Sequence, residues 1–200
     1  MRNSKTRDLT SGAPMGLLLS FMLPLLLGML FQQCYNMVDT VVVGKALGVQ
    51  ALAGVGSTGS ISFLVLGLCN GICAGFAIPV AQRFGRRDYD GVRKFVGNMI
   101  LLTAVFAGII TLVTAANCRN ILIWMKNPED TFQYAYDYIL LIFLGIPATM
   151  LYNLLSGIIR SLGDSRTPLY FLIFSSLLNV ALDLLFIVRF HMGVSGAGAA

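Results

Sequence analysis

Long apolar runs, separated by short clusters of glycine, proline and charge, organise this chain. A helix that crosses a bilayer needs about 20 mostly apolar residues. Five runs reach that length, at residues 15–44, 51–80, 95–117, 133–159 and 168–188. Between them lie Lys45 to Gln50, Arg83 to Lys94, Arg119 to Asp130 and Arg160 to Pro168. The first and fourth runs exceed the need of an upright span, which predicts tilt or a kink. Pro24 is the expected bend in the first, because it lacks the N–H that a helix interior uses. After Arg189 a sixth apolar segment opens at Gly193 and continues for eight small residues to Ala200. That is too short to cross, so the expectation is a chain cut inside its sixth helix, with a short re-entrant tail as the alternative. Residues 1–13 are polar and basic and are expected to form a cytoplasmic N-terminal segment. The run that follows is far longer than the roughly 7–15 apolar residues of a signal peptide, so it is expected to stay as the first span. No internal repeat is visible within these residues.

Composition strengthens the membrane reading. The chain is 56% hydrophobic and 12% charged, whereas a soluble domain carries roughly 25% charged residues. Too little polar surface remains to dissolve a globule, so the apolar faces must meet a lipid bilayer, and the fold class is an all-α membrane protein. The net charge of +5 lies in short clusters between the runs rather than along one face. That arrangement excludes a nucleic-acid partner and reads instead as a topology signal. Arg2, Lys5, Arg7, Arg83, Arg86, Arg87, Arg93, Lys94, Arg160 and Arg166 fall on one side. Only Lys45, Arg119, Lys126 and Arg189 fall on the other. The bias predicts a multi-pass protein of the cell membrane with its N-terminus in the cytoplasm and the loop around His191 outside.

The cysteines and glycines favour packing over chemistry. Cys69 and Cys73 share one helix face, Cys34 and Cys118 stand alone, and His191 is the single histidine. No zinc ligand set can be assembled from them. Gly54, Gly56 and Gly59 have the spacing of a dinucleotide fingerprint, but no strand precedes them and no acid follows at ribose distance. Close helix packing through glycine is the better account.

Two acids are out of place. Of nine acidic residues, seven lie in loops or at span edges, and only Asp39 and Asp183 lie well inside apolar runs. An ionisable group in hydrocarbon must face protein or a watery cavity, and function is the default reading. Asp39 is six residues before Lys45 and Asp183 six before Arg189. Both would then lie about 9 Å below the same end of their helices, at about 1.5 Å per residue. Gln32, Tyr35, Asn36 and Asp39 form one stripe of the first helix, and Ser175, Asn179 and Asp183 one stripe of the fifth. Such stripes turn inward, since lipid cannot satisfy them. Carboxylates with amide and hydroxyl oxygens nearby can take a proton or a small hard cation such as sodium. A static interhelical network with no transport role is the alternative. Paired aspartates also raise intramembrane peptide hydrolysis, but the one Gly-Asp pair, Gly163-Asp164, lies in a loop. No histidine lies inside a span to serve a serine hydrolase, so no enzyme is expected.

The order and spacing of several segments complete the reading. They are Pro24, Tyr35-Asn36-Met37-Val38-Asp39-Thr40 with Gly44, Leu52-Ala53-Gly54 and Ala81-Gln82-Arg83-Phe84-Gly85. Arg160-Ser161-Leu162-Gly163-Asp164-Ser165-Arg166-Thr167-Pro168, Asn179 with Asp183, and Gly193-Val194-Ser195-Gly196-Ala197 follow. Together they resemble the N-terminal half of a multidrug and toxic compound extrusion (MATE) transporter. The resemblance implies twelve helices in two six-helix lobes, with this chain supplying most of the first and a missing C-terminal lobe completing the protein. It implies an antiporter that exports small cationic or amphipathic compounds in exchange for protons or sodium ions, with no cofactor. Asp39, Asn179 and Asp183 match the family's cation site, where sodium would bind, with Tyr35, Asn36 and Tyr138 in support. Gln32 and Asn153 are assigned to the substrate cavity and Pro24 to the helix bend. A threonine that the family often uses in its sixth helix would fall at or beyond Ala200. The alternatives are a lipid or polysaccharide flippase of the same superfamily, an intramembrane aspartyl protease, and an inert or degraded fragment. A flippase calls for cationic side chains within the spans, and the sequence shows none there.

Overall fold

The computed structural model describes residues 14–200, all in helices and short connections. The expected cytoplasmic segment 1–13, with Arg2, Lys5 and Arg7, lies outside the described residues. Helix α1 (Pro14–Leu47) runs through Pro24 without a break. It stops at Gly48, whose φ of 88° is one that side chains rarely adopt.

The second expected span proves to be two elements. A short helix α2 (Val49–Ser57) is followed by the true span, α3 (Gly59–Gly85). The hydroxyls of Ser57 and Thr58 turn back onto the carbonyls of Gly54 and Val55, each at 2.7 Å. Such local bonds compete with the helix ladder, and the flanking glycines have low helix propensity, so the run breaks here. Apolar composition alone could not show it. Helix α4 (Tyr89–Ala116) begins six residues earlier than the apolar run suggests. Asp88 is responsible, because its Oδ1 accepts the backbone N–H of Gly91 at 2.9 Å and caps the helix.

A short α5 (Cys118–Trp124) leads to α6 (Glu129–Leu144) and α7 (Ile146–Ser161), which together make one span bent by 45°. The kink expected in the long fourth run therefore falls at Gly145, next to the Pro147 that cannot donate to the ladder. Helix α8 (Arg166–Asp183) passes directly into a π-helical turn, Leu184–Arg189, and the two form one 24-residue span. Gly193, with a φ of 65°, starts α9 (Val194–Ala199). Four helices are long and apolar enough to cross a membrane, or five spans with the bent pair taken as one, among the described residues.

Two packing centres hold the bundle. The larger joins α3, α4, α5, α6 and α7 through residues such as Cys69, Met99, Ile139, Phe143 and Met150. The smaller gathers Val43 of α1, Ala51 of α2, Ile187 of the π turn, and Val194 and Ala197 of α9, with Tyr138 of α6 against it. In lipid, helices gain little from hiding apolar surface, so close packing through small residues and interhelical hydrogen bonds must supply cohesion. Both are present. Gly157 of α7 lies against Ala77 of α3, and Ser161 Oγ donates to the Ala77 carbonyl at 2.9 Å. Cys69, Cys73 and Cys118 are free and buried in this packing, as expected, whereas Cys34 is exposed and belongs to neither packing centre. Gly54 fits against α6, where a Cβ would come 2.8 Å from Tyr134 Cβ. That is helix packing, not a nucleotide loop. Outside, Phe63, Leu101, Leu112, Phe174 and Leu177 are each more than half exposed, an apolar surface suited to lipid.

Candidate functional site

Helices α1 and α8 run side by side in the same direction. Gly28 makes the approach possible, since a Cβ there would meet Leu172 Cδ2 at 3.3 Å. Eleven residues beyond each of these two positions, about 16 Å up each helix, come Asp39 and Asp183. Equal rise on parallel neighbours brings the acids to one level, and their side chains meet. Asp183 is fully buried and Asp39 half-buried.

The pair lacks donors. Asp39 Oδ1, both carboxyl oxygens of Asp183 and Asn179 Oδ1 are buried with no hydrogen-bond partner among the described residues. Buried oxygens without donors are costly, about 1–3 kcal/mol each. Two carboxylates in contact also repel each other strongly away from water. A proton shared between them, or a hard cation held by the four oxygens, removes both penalties. The donor set therefore fits the sodium expected from the resemblance as well as it fits a proton. Among the described residues no three His, Cys, Asp or Glu side chains converge, so a cage of charged ligands for a divalent metal is not built here.

The supporting residues divide. Tyr138 of α6 lies within electrostatic reach of Asp39, Asp183 and Tyr35. Tyr35 and Asn179 are half-buried on the stripes that carry the acids. Asn36 is exposed and donates its side-chain N–H to Gln33 Oε1 at 3.3 Å. Gln32 and Ser175 are exposed as well, and Ser175 Oγ turns back to the Leu172 carbonyl at 3.1 Å. Regular α-helix ends at Asp183 itself, and the π turn follows at once. Such turns recur at functional sites.

Asn153 belongs to a different place. With Asn70 it lines a cavity of about 370 Å³ between α1, α3 and α7, toward the end of the bundle that bears Arg83 and Arg160. Asn70 was legible as the one amide inside the apolar run of α3, by the same logic that singles out Asp39. Arg160, read from the sequence as part of a loop, is in the last turn of α7 and forms part of this cavity wall. The expectation of no cationic side chain within the spans is corrected: Arg160, like Lys45, Arg83 and Arg189, stands in the last turn of a spanning helix.

The comparisons with known proteins agree with this architecture. The MatE family profile matches residues 24–185. The probable multidrug resistance protein YpnP of Bacillus subtilis is 31% identical over 194 residues, covering 96% of this chain and 43% of that protein. A solved MOP superfamily transporter from Pyrococcus furiosus superposes with a TM-score of 0.89 at 26% identity, over 96% of this chain and 43% of its own. An outward-facing multidrug resistance MATE family transporter of the same superfamily gives a TM-score of 0.87 at 26% identity, over 94% and 41%. The chain thus spans less than half the length of the relatives it matches. Matched along four-fifths of its residues by the family profile and along nearly all of them by solved transporters, the chain belongs to the MatE family and has the fold of the N-lobe of its multidrug and toxic compound extrusion transporters.

Proposed function

We propose that this chain forms the N-lobe of an exporter that moves drugs or other cationic and amphipathic compounds across the cell membrane in exchange for protons or sodium ions. One observation carries the reading: the side chains of Asp39 and Asp183 meet between α1 and α8, and with Asn179 one turn before Asp183 they leave four buried oxygens without donors among the described residues. The ion binds between Asp39 of α1 and Asp183 of α8, with Asn179 as a further oxygen and Tyr138 closing the side. A bound proton or sodium ion draws the two helices together at this level. Its departure leaves two negative charges in contact, which favours a conformation with the helices further apart or water between them. A cationic substrate and the ion then compete through the conformations each prefers. A second lobe, supplied by further sequence, completes the path and the two-sided access.

Hydrolysis by the same two aspartates is the weaker reading. It requires water and a substrate backbone at Asp183, which has no exposed surface.

The test is efflux from cells expressing the full-length protein, wild type against Asp39→Asn and Asp183→Asn, under an imposed pH or sodium gradient. Loss of gradient-driven efflux at normal membrane levels supports the assignment. Unchanged efflux in both variants reduces the pair to a structural role.

A further inference from the structure

The cavity between α1, α3 and α7 has a polarity opposite to that of the carboxyl site. Its wall at α1 is Phe21, 18 residues and about 27 Å along the helix from Asp39. No Asp or Glu lines it, whereas Arg160 does. Arginine is always charged and offers five N–H donors in a planar fork. Arg160 Nε donates to the Ser156 carbonyl at 3.1 Å, which fixes the guanidinium on its own helix. Arg83 pairs with Asp88 away from this wall, and no carboxylate shares the cavity lining with Arg160. Asn70 and Asn153 add side-chain amides to the same wall, and Phe21, Ala77 and Ile78 supply apolar surface. The volume, about 370 Å³, falls within the range of small-molecule sites, roughly 300–1,000 Å³.

A fixed positive charge repels the cationic compounds proposed above as cargo, so this cavity suits another class of ligand. We propose that it binds the acidic headgroup of an amphiphile, a phosphate or carboxylate. Arg160 holds the oxyanion through its free N–H edge, since guanidinium and oxyanion match as a two-pronged hydrogen-bonded pair. Asn70 and Asn153 donate from the sides, and the first part of the apolar tail lies along Phe21 and Ile78.

The experiment uses the full-length protein in detergent, titrated with phosphatidylglycerol and with inorganic phosphate, and reads binding by native mass spectrometry and thermal shift. Saturable phosphatidylglycerol binding is expected, with inorganic phosphate giving no shift at equal concentration. Arg160→Gln should weaken that binding about tenfold or more, as loss of a charge-assisted hydrogen bond implies. Arg160→Lys should recover part of it. Ile78→Trp fills the cavity without touching charge and should also abolish binding, which keeps the test sound where Arg160→Gln folds poorly. Equal binding in wild type, Arg160→Gln and Ile78→Trp overturns the proposal. An equal shift with inorganic phosphate overturns the amphiphile and leaves a free anion as the ligand.

Discussion

The side chains of Asp39 on α1 and Asp183 on α8 meet inside an apolar bundle with no described donor between them. A soluble protein would surround such a pair with backbone N–H groups or water. Here both helices continue regularly past Asp39 and up to Asp183, so their backbone donors are already committed to the ladder.

That shortage has a consequence for stability as well as transport. Asn in place of Asp183 supplies an amide N–H to Asp39 and removes one acid. We expect Asp183→Asn to raise stability by about 1 kcal/mol, the order of one buried acceptor satisfied, while gradient-driven efflux falls at least tenfold. Thermal unfolding of the purified full-length protein, measured beside efflux, checks both. A variant that loses stability and transport together would point to a structural role for the pair.

Gly54 and Gly56 should behave oppositely. A Cβ on Gly54 would lie 2.8 Å from Tyr134 Cβ and 3.1 Å from the Thr131 carbonyl, so Gly54→Ala must push α2 off α6. Overpacking of this kind costs about 1–3 kcal/mol. Gly56 has open space around it, and Gly56→Ala should be neutral or stabilise by up to about 1 kcal/mol. Melting curves of the two variants give the comparison.

The turn between α3 and α4 carries a pH dependence. The Gly91 N–H, and after it Arg83, hold the Asp88 carboxyl below the usual carboxylate range. A depressed value means that the cap's contribution is complete above the ordinary carboxylate pKa of about 3.9. It is lost as pH falls through the lower, folded value. Hydrogen exchange at the first turn of α4 should therefore show protection at neutral pH that fades in acid. Asp88→Asn should flatten the profile.

Gly91 is the partner that makes this cap possible. A Cβ there would collide with the Asp88 carboxylate and the Arg83 guanidinium. Gly91→Ala should therefore break the Arg83–Asp88 pair, which is 2.9 Å long, and fray the start of α4. The same exchange experiment at neutral pH would show faster exchange around Tyr89 to Val92; unchanged protection would mean that the turn relaxes around the methyl group.

Much of this was legible because a membrane imposes strong rules. Apolar length located the spans, and the matched distances of Asp39 and Asp183 from Lys45 and Arg189 placed the acids at one depth before any coordinates. Breaks were harder to see. The α2–α3 junction depends on hydroxyls at Ser57 and Thr58 that bond locally, and the 45° bend at Gly145 comes where Pro147 cannot donate to the ladder inside one continuous apolar run. Hydropathy averages over both. Charge ends the apolar run before Arg160, although the helix extends two residues further to Ser161. Asn153, expected in a cavity apart from the aspartates, does line a separate one, whereas Gln32, expected beside it, is exposed and does not. The π turn has no sequence signature that distinguishes Leu184–Arg189 from ordinary apolar helix.

The division into two packing centres has a mechanical consequence. The large centre contains neither α1 nor α8. These two rods grip each other along their length and are fastened to the rest by the small centre around Val43 and Ile187. At the other end the Arg160 cavity separates α1 from α3 and α7. The lobe is thus a block and a pair of rods, clamped together at one end, with α8 still tied to α7 at the other through the Tyr152 hydroxyl on the Pro168 carbonyl, 3.5 Å away, and α1 standing off across the cavity. Asp39 and Asp183 lie beside the clamp, where a small change in spacing is magnified along the full length of the rods.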